Sequence, residues 1–182
     1  MESVLTEIHL ALNHLPIFLV AMSLVAITFG FVFKKDGSIL AALAMQVVSG
    51  AAAILIYFTG RSAQGLLLET YGPENFHPDL IKEYAEYIGK HEEIAEQACY
   101  ALWANGAIAA IFFIVLLRRH DFARSIKLLL LPTVSALVAA GMAANAGYRG
   151  GHIAHPEIRP DEVKVITNEM REYSWEDVPK SE

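Results

Sequence analysis

The sequence predicts an all-α integral membrane protein, folded as an up-down-up-down four-helix bundle with both termini on the outer side. Apolar residues make up 54% of its 182 residues, which is more than soluble domains usually contain. The chain holds four mostly apolar runs of about 20 residues, the length that crosses a bilayer as a helix. Charged residues are concentrated in the connections between these runs. The predicted spans are about Leu12–Phe33, Ser38–Gly60, Glu96–Leu117 and Ile126–Tyr148.

The spans and connections follow one another in a simple order. Acidic residues precede the first span where a signal peptide would carry basic ones, so we expect this span to be retained. A four-residue connection at 34–37 leads to the second span, and its shortness suits antiparallel neighbours. A long segment from Arg61 to about Ala95 follows. Within it, residues 79–88 have helical spacing of apolar residues and predict a surface helix before a turn at Gly89. Residues 118–125 join the last two spans. Residues 1–155 are therefore the predicted transmembrane domain, and 156–182 a charged extramembrane tail.

The distribution of charge predicts the orientation. The two short connections and the start of the fourth span hold six of the 14 basic residues and two of the 20 acidic ones, a net charge of +4. The rest of the chain carries −10. Cytoplasmic loops carry the excess of lysine and arginine in membrane proteins. We therefore expect the two short connections to face the cytoplasm and both termini to lie outside. The net charge of −6, with no basic run, argues against a nucleic-acid partner.

Six of the seven histidines are expected at the outer end of the bundle, and only His120 at the other. Histidine is the commonest metal-ligating side chain and an axial ligand of haem iron. Their collection at one depth therefore predicts a metal or haem site there. The six are His9 and His14 at the start of the first span, His77 in the long segment, His91 before the third span, and His152 and His155 after the fourth.

Two kinds of site fit these histidines. Imidazoles from facing helices could hold b-type haem, since the chain has no Cys-x-x-Cys-His for covalent attachment. The small residues of the fourth span would leave space for it, although they equally suit plain helix packing. Alternatively, the imidazoles could bind copper or zinc with help from carboxylates. A third possibility is a structural small subunit of a membrane complex. The single cysteine, Cys99, excludes sites built from several thiolates.

The first helix carries the pattern His9-Leu-Ala-Leu-Asn-His14-Leu-Pro16. It resembles a family of four-span bacterial membrane proteins of unknown function, described as predicted membrane or cytochrome-like proteins. The family pattern is His-Pro-x-x-Val-His-Phe-Pro, and here Leu10 replaces the first proline. The resemblance covers about residues 5–157. Further matches are Thr59-Gly60 at the end of the second helix, His91 opening the third, and Gly150-Gly151 with a following histidine in the fourth.

The resemblance implies electron transfer through b-type haem, linked to a quinone or a protein partner, in the bacterial inner membrane. We expect one or two bis-histidine haems near the outer face, and an electron-transfer protein or redox subunit rather than a stand-alone enzyme. A single haem would most simply use His14 with His91 or His155. The predicted iron ligands are His9, His14, His91 and His155, with His152 in reserve and Arg61 and Arg149 near the propionates.

Overall fold

The computed structural model describes residues 2–70, 78–118 and 126–154, which are helical apart from short turns. No strand occurs among them. Four helical segments are long and apolar enough to cross a membrane: Val4–Val32, Asp36–Gly60, Glu86–Arg118 and Lys127–Ile153. The prediction of an all-α chain with four such helices is confirmed. The helices are α1 (Glu2–Leu12), α2 (Leu15–Val32), α3 (Asp36–Thr70), α4 (Pro78–Arg118) and α5 (Ile126–Ala154).

The first candidate span contains a break between α1 and α2. Pro16 is the second residue of α2 and has no N–H with which to continue the helical bonding pattern, which accounts for the break. The chain nevertheless stays nearly helical through the turn. The Asn13 N–H donates to the His9 carbonyl at 2.9 Å, and the Phe18 N–H donates to the His14 carbonyl at 3.0 Å.

A tight turn connects α2 to α3. Lys34 has a φ of 54°, and the Lys35 N–H donates to the Gly30 carbonyl at 2.8 Å, a bonding pattern typical of helix C-termini. The Ser38 hydroxyl then donates to the carbonyl of Ala26 on α2 at 2.8 Å. These bonds return α3 alongside α2 in the opposite direction.

The helices pack as a closed ring in which α2 contacts α3, α3 contacts α4, α4 contacts α5 and α5 contacts α2, while α1 packs on α3. The backbones of α3 and α4 approach most closely at Gly50 and Gly106, because a Cβ on Gly50 would lie 3.1 Å from the Gly106 Cα. Large apolar side chains such as Ile111 and Leu130 are more than 60% exposed on the outside. Such a surface suits lipid rather than water.

The second span, Asp36–Gly60, ends where it was predicted, but two predicted helix ends are wrong. We expected the second helix to end in a turn at Gly60 and a separate surface helix to end at Gly89, but α3 continues to Thr70 and α4 is continuous from Pro78. A glycine costs only about 1 kcal/mol inside a helix, which a long helix tolerates. At 41 residues α4 is about 60 Å long, twice the roughly 30 Å of bilayer hydrocarbon, so it extends well beyond one membrane face. The tail at 156–182 lies outside the described residues.

The two ends of the bundle differ in chemistry. We call one the histidine end; it carries His9, Gly60, His91 and Gly150. The other is the basic end, and it carries Lys34, Lys35, Arg118 and Lys127.

Candidate functional site

At the histidine end, two imidazole rings lie directly on glycines of neighbouring helices. The His9 ring of α1 lies on Gly60 of α3, where an added Cβ would be 3.2 Å from the ring Cε1. The His91 ring of α4 lies on Gly150 of α5, where the corresponding distance is 3.0 Å. Ordinary carbon–carbon contacts are about 3.5–4.0 Å. A Cβ at either glycine would therefore force the ring to shift by a few tenths of an ångström.

Thr59 orients the His9 ring. The Thr59 hydroxyl donates its hydrogen to the Leu55 carbonyl at 2.9 Å, so its oxygen is available to accept from His9 Nδ1 at 3.3 Å. The Ile56 carbonyl, which can only accept, also lies beside the ring. Both neighbours favour a hydrogen on the nitrogen that faces α3. In histidines that ligate metals, the Nδ1–H is commonly held in this way while Nε2 binds the metal.

The His91 ring is more deeply enclosed. Its Nδ1 is buried and makes no hydrogen bond of acceptable geometry within the described part of the chain, although the Ala146 carbonyl lies beside the ring. A buried polar atom without a partner is costly, and in a native protein it calls for a ligand, a water or an ion. His91 and His9 are close enough for their charges to interact. The fold therefore places two of the predicted ligands at the same end of the bundle, on different helices.

The other predicted site residues are placed differently. The His14 side chain is exposed beside the break between α1 and α2. His152 on α5 is 9% exposed, with its ring centroid 4.4 Å from that of Tyr148. Arg149 is exposed on the same helix. The Arg61 side chain and all of His155 lie outside the described residues, as do His77 and His120.

A carboxylate within a candidate span was not singled out from the sequence. Glu96 Oε1 accepts hydrogen bonds from the Tyr57 hydroxyl at 3.2 Å and from the Tyr100 hydroxyl at 2.5 Å. Trp103 packs edge-on against both tyrosine rings. Carboxylates are common at solvated helix starts, so the position of Glu96 alone did not indicate a hydrogen-bonded group. The spacing of Glu96 and Tyr100, four residues apart on one helix, was the signal that could have revealed the pair.

The arrangement sets limits on the chemistry. Among the described residues, no three histidine, cysteine, aspartate or glutamate side chains are grouped closely enough to hold a metal ion. A bis-histidine haem requires only two protein ligands, and the two rings on their glycines supply two imidazoles from different helices.

Comparisons of the chain with protein-family models, with curated proteins and with solved structures give no match.

Proposed function

We propose that this chain is a membrane-bound b-type cytochrome that carries single electrons. It would lie in the bacterial inner membrane as an up-down-up-down bundle, with the histidine end and both termini on the outer, periplasmic face. It would hold one or two haems and pass electrons between a redox partner and the quinone pool or another redox subunit. The basic end would face the cytoplasm, in keeping with its excess of lysine and arginine.

One observation carries the proposal: His9 and His91 come from different helices, lie at the same end of the bundle, and each rests on a glycine. Packing alone gives no reason for this arrangement to occur twice at the same end. It does suit a pair of axial ligands, which must project from separate helices towards a shared space. These two residues are therefore our first choice for a single haem, ahead of the exposed His14.

The residues fit the group in two respects. The buried His91 Nδ1 lacks a hydrogen-bond partner within the described residues, and binding a ligand at this ring would change its surroundings. Gly60 and Gly150 have no side chain, so each imidazole packs directly on the backbone of the neighbouring helix. Bound haem would supply reversible one-electron exchange between ferric and ferrous iron.

The surrounding residues would set the properties of the site. Thr59 fixes the His9 ring and its tautomer through the hydrogen bond to Nδ1. The Glu96 carboxylate adds negative charge on α4 five residues beyond His91, which would favour the oxidised state of a nearby redox group. Apolar core residues such as Val20 and Leu102 lie below the histidine end and would exclude water from that side.

The test is an absorption spectrum of the full chain, purified in detergent from haem-replete cells and recorded oxidised and reduced, with a pyridine haemochrome assay. We expect a sharp reduced α-band and one or two haems per chain. A colourless protein would refute the proposal, and metal analysis for copper and zinc would then follow.

Single variants test the choice of ligands. In the single-haem version, His9→Ala and His91→Ala are each expected to lose most of the haem, whereas His14→Ala, the matched control from the same end of the first span, should keep it. If His14→Ala loses haem while His9→Ala keeps it, the ligand assignment is wrong although the cytochrome proposal stands. Circular dichroism of each variant shows whether the helices are still formed.

A further inference from the structure

Three polar side chains of different helices lie near the middle of the candidate spans, far from the histidines. Gln46 of α3 and Asn105 of α4 are both 0% exposed. The Ser135 hydroxyl of α5 lies 2.9 Å from Asn105 Oδ1. Gln46 lies 14 residues before Gly60 and Asn105 lies 14 residues after His91, so each is about 21 Å from the histidine end. We call these three residues the mid-membrane polar group.

The backbone contacts place Gln46 and Asn105 at the same level. A Cβ on Gly106, the residue after Asn105, would lie only 3.4 Å from the Gln46 carbonyl oxygen. The glycine pair Gly50 and Gly106 brings α3 and α4 together at this point. The two residues therefore lie within about one helical turn of each other. Because neither is exposed, both side chains lie in the interior of the ring of helices.

Most of the hydrogen-bonding capacity of these two amides is unused. Gln46 Oε1, Gln46 Nε2 and Asn105 Nδ2 are all buried without a hydrogen-bond partner among the described residues. Two buried hydroxyls are satisfied, since the Ser23 hydroxyl donates to the Val20 carbonyl and the Ser49 hydroxyl to the Pro16 carbonyl, whereas Trp103 Nε1, on the same helix as Asn105, is also without a partner among the described residues. The fold thus pairs its buried hydroxyls within the protein but leaves the two amides open.

Turning the Asn105 amide over does not remove the deficit. The Ser135 hydroxyl has one hydrogen and two acceptors in reach, Asn105 Oδ1 and the Pro132 carbonyl at 3.1 Å. If the hydrogen goes to Pro132, a turned Asn105 can donate to Ser135 but leaves its own oxygen without a donor. Either assignment leaves at least one atom of Asn105 unsatisfied, and Gln46 is unaffected by the choice.

We infer that the mid-membrane polar group binds one or two ordered water molecules. Within hydrocarbon an unsatisfied amide has no bulk solvent to turn to, so a bound partner must supply its hydrogen bonds. The two open amide NH2 groups and the open amide oxygen require a ligand that both accepts and donates hydrogen bonds, as water does. An internal water commonly makes about three hydrogen bonds, matching the three open atoms. This inference does not depend on haem and stands or falls separately from the proposed function.

The experiment is solid-state NMR of the full chain in liposomes, with ¹⁵N-labelled asparagine and glutamine. Magnetisation is transferred from water protons to the side-chain amides, and the Gln46 signal is assigned by its disappearance in Gln46→Met. We expect transfer from water to the amides of both Gln46 and Asn105 in the unaltered protein. If the assigned Gln46 amide receives no magnetisation from water, the inference is overturned.

A second measurement uses thermal stability. In a dry site, Gln46→Met would remove an unsatisfied amide and raise the melting temperature, whereas in a hydrated site it removes a satisfied group. We expect the melting temperature of Gln46→Met to be equal to or below that of the unaltered protein. Leu43→Met, at an equally buried apolar position of the same helix, controls for the effect of introducing methionine. A marked rise for Gln46→Met alone would contradict bound water.

Discussion

Replacing Gly50 with alanine tests how closely α3 and α4 are packed. The new Cβ would lie 3.0 Å from the Leu102 carbonyl oxygen and 3.1 Å from the Gly106 Cα. Both neighbours are backbone atoms, so no side chain can rotate out of the way. Since ordinary contacts begin at about 3.5 Å, the two helices must separate by about half an ångström.

The magnitude follows from two opposing effects. Overpacking a well-packed interior typically costs about 1–3 kcal/mol. Alanine recovers up to about 1 kcal/mol over glycine through its higher helix propensity. The net expectation is a loss of roughly 0–2 kcal/mol of unfolding free energy for Gly50→Ala. Gly141→Ala is the matched control, because a Cβ on Gly141 of α5 meets nothing within 4 Å. Gly141→Ala should therefore be stabilised by the higher helix propensity of alanine, with no overpacking to oppose it.

The two variants can be compared by SDS-driven unfolding in mixed micelles, followed by far-UV circular dichroism. Gly50→Ala should unfold about 1–3 kcal/mol more readily than Gly141→Ala, which is the overpacking term by itself. Equal stability of the two variants, or greater stability of Gly50→Ala, would refute the close approach of α3 and α4. Gly106→Ala should repeat the effect, and the double variant should fall short of the sum because both changes open the same contact.

Three other changes have defined outcomes. Lys34→Gly should raise the unfolding free energy by about 1 kcal/mol, because a φ of 54° is unfavourable for residues other than glycine; the same SDS titration measures it. Ser49→Ala should lower it by about 0.6 kcal/mol, the average for hydrogen bonds between membrane helices, and no loss would mean that the bond to α2 contributes nothing. If the chain binds haem as proposed, Gly150→Ala should displace the His91 ring and speed the transfer of haem to apomyoglobin, while Gly141→Ala should leave the rate unchanged.

The spans were predictable because a run of 20 apolar residues leaves few alternatives. Helix ends were not, since a helix can continue into water wherever polar residues still follow its periodicity. For this reason α4 passes through Gly89 and α3 passes through Gly60, where the sequence suggested turns. A glycine indicates that a turn is possible. Only the packing around it shows whether it forms a turn or allows a close approach inside a continuous helix.

The histidine site was partly predictable. The position of His9 and His91 at one end of the bundle followed from the positions of the spans. The contacts of His9 with Gly60 and of His91 with Gly150 did not, because they depend on how each helix is rotated about its axis. The break before Pro16 leaves His9 against α3 and His14 exposed, although both belong to the same sequence motif. Thr59 was noted only as a neighbour of Gly60, and its hydrogen bond to His9 became visible only in the structure.

The buried polar side chains lie at one end and in the middle of the bundle, and this distribution limits where the proposed cytochrome can exchange electrons. His9 and His91 lie at one end, and the mid-membrane polar group lies about 21 Å below them, near half the thickness of the bundle. Between that level and the basic end, the buried residues include Ile39, Leu43, Ala109 and Leu116, which form an apolar cluster. A haem at the histidine end would therefore exchange electrons at one membrane face, and crossing to the other face would require a second redox protein. The apolar half of the chain then acts as an anchor that holds the site at that face.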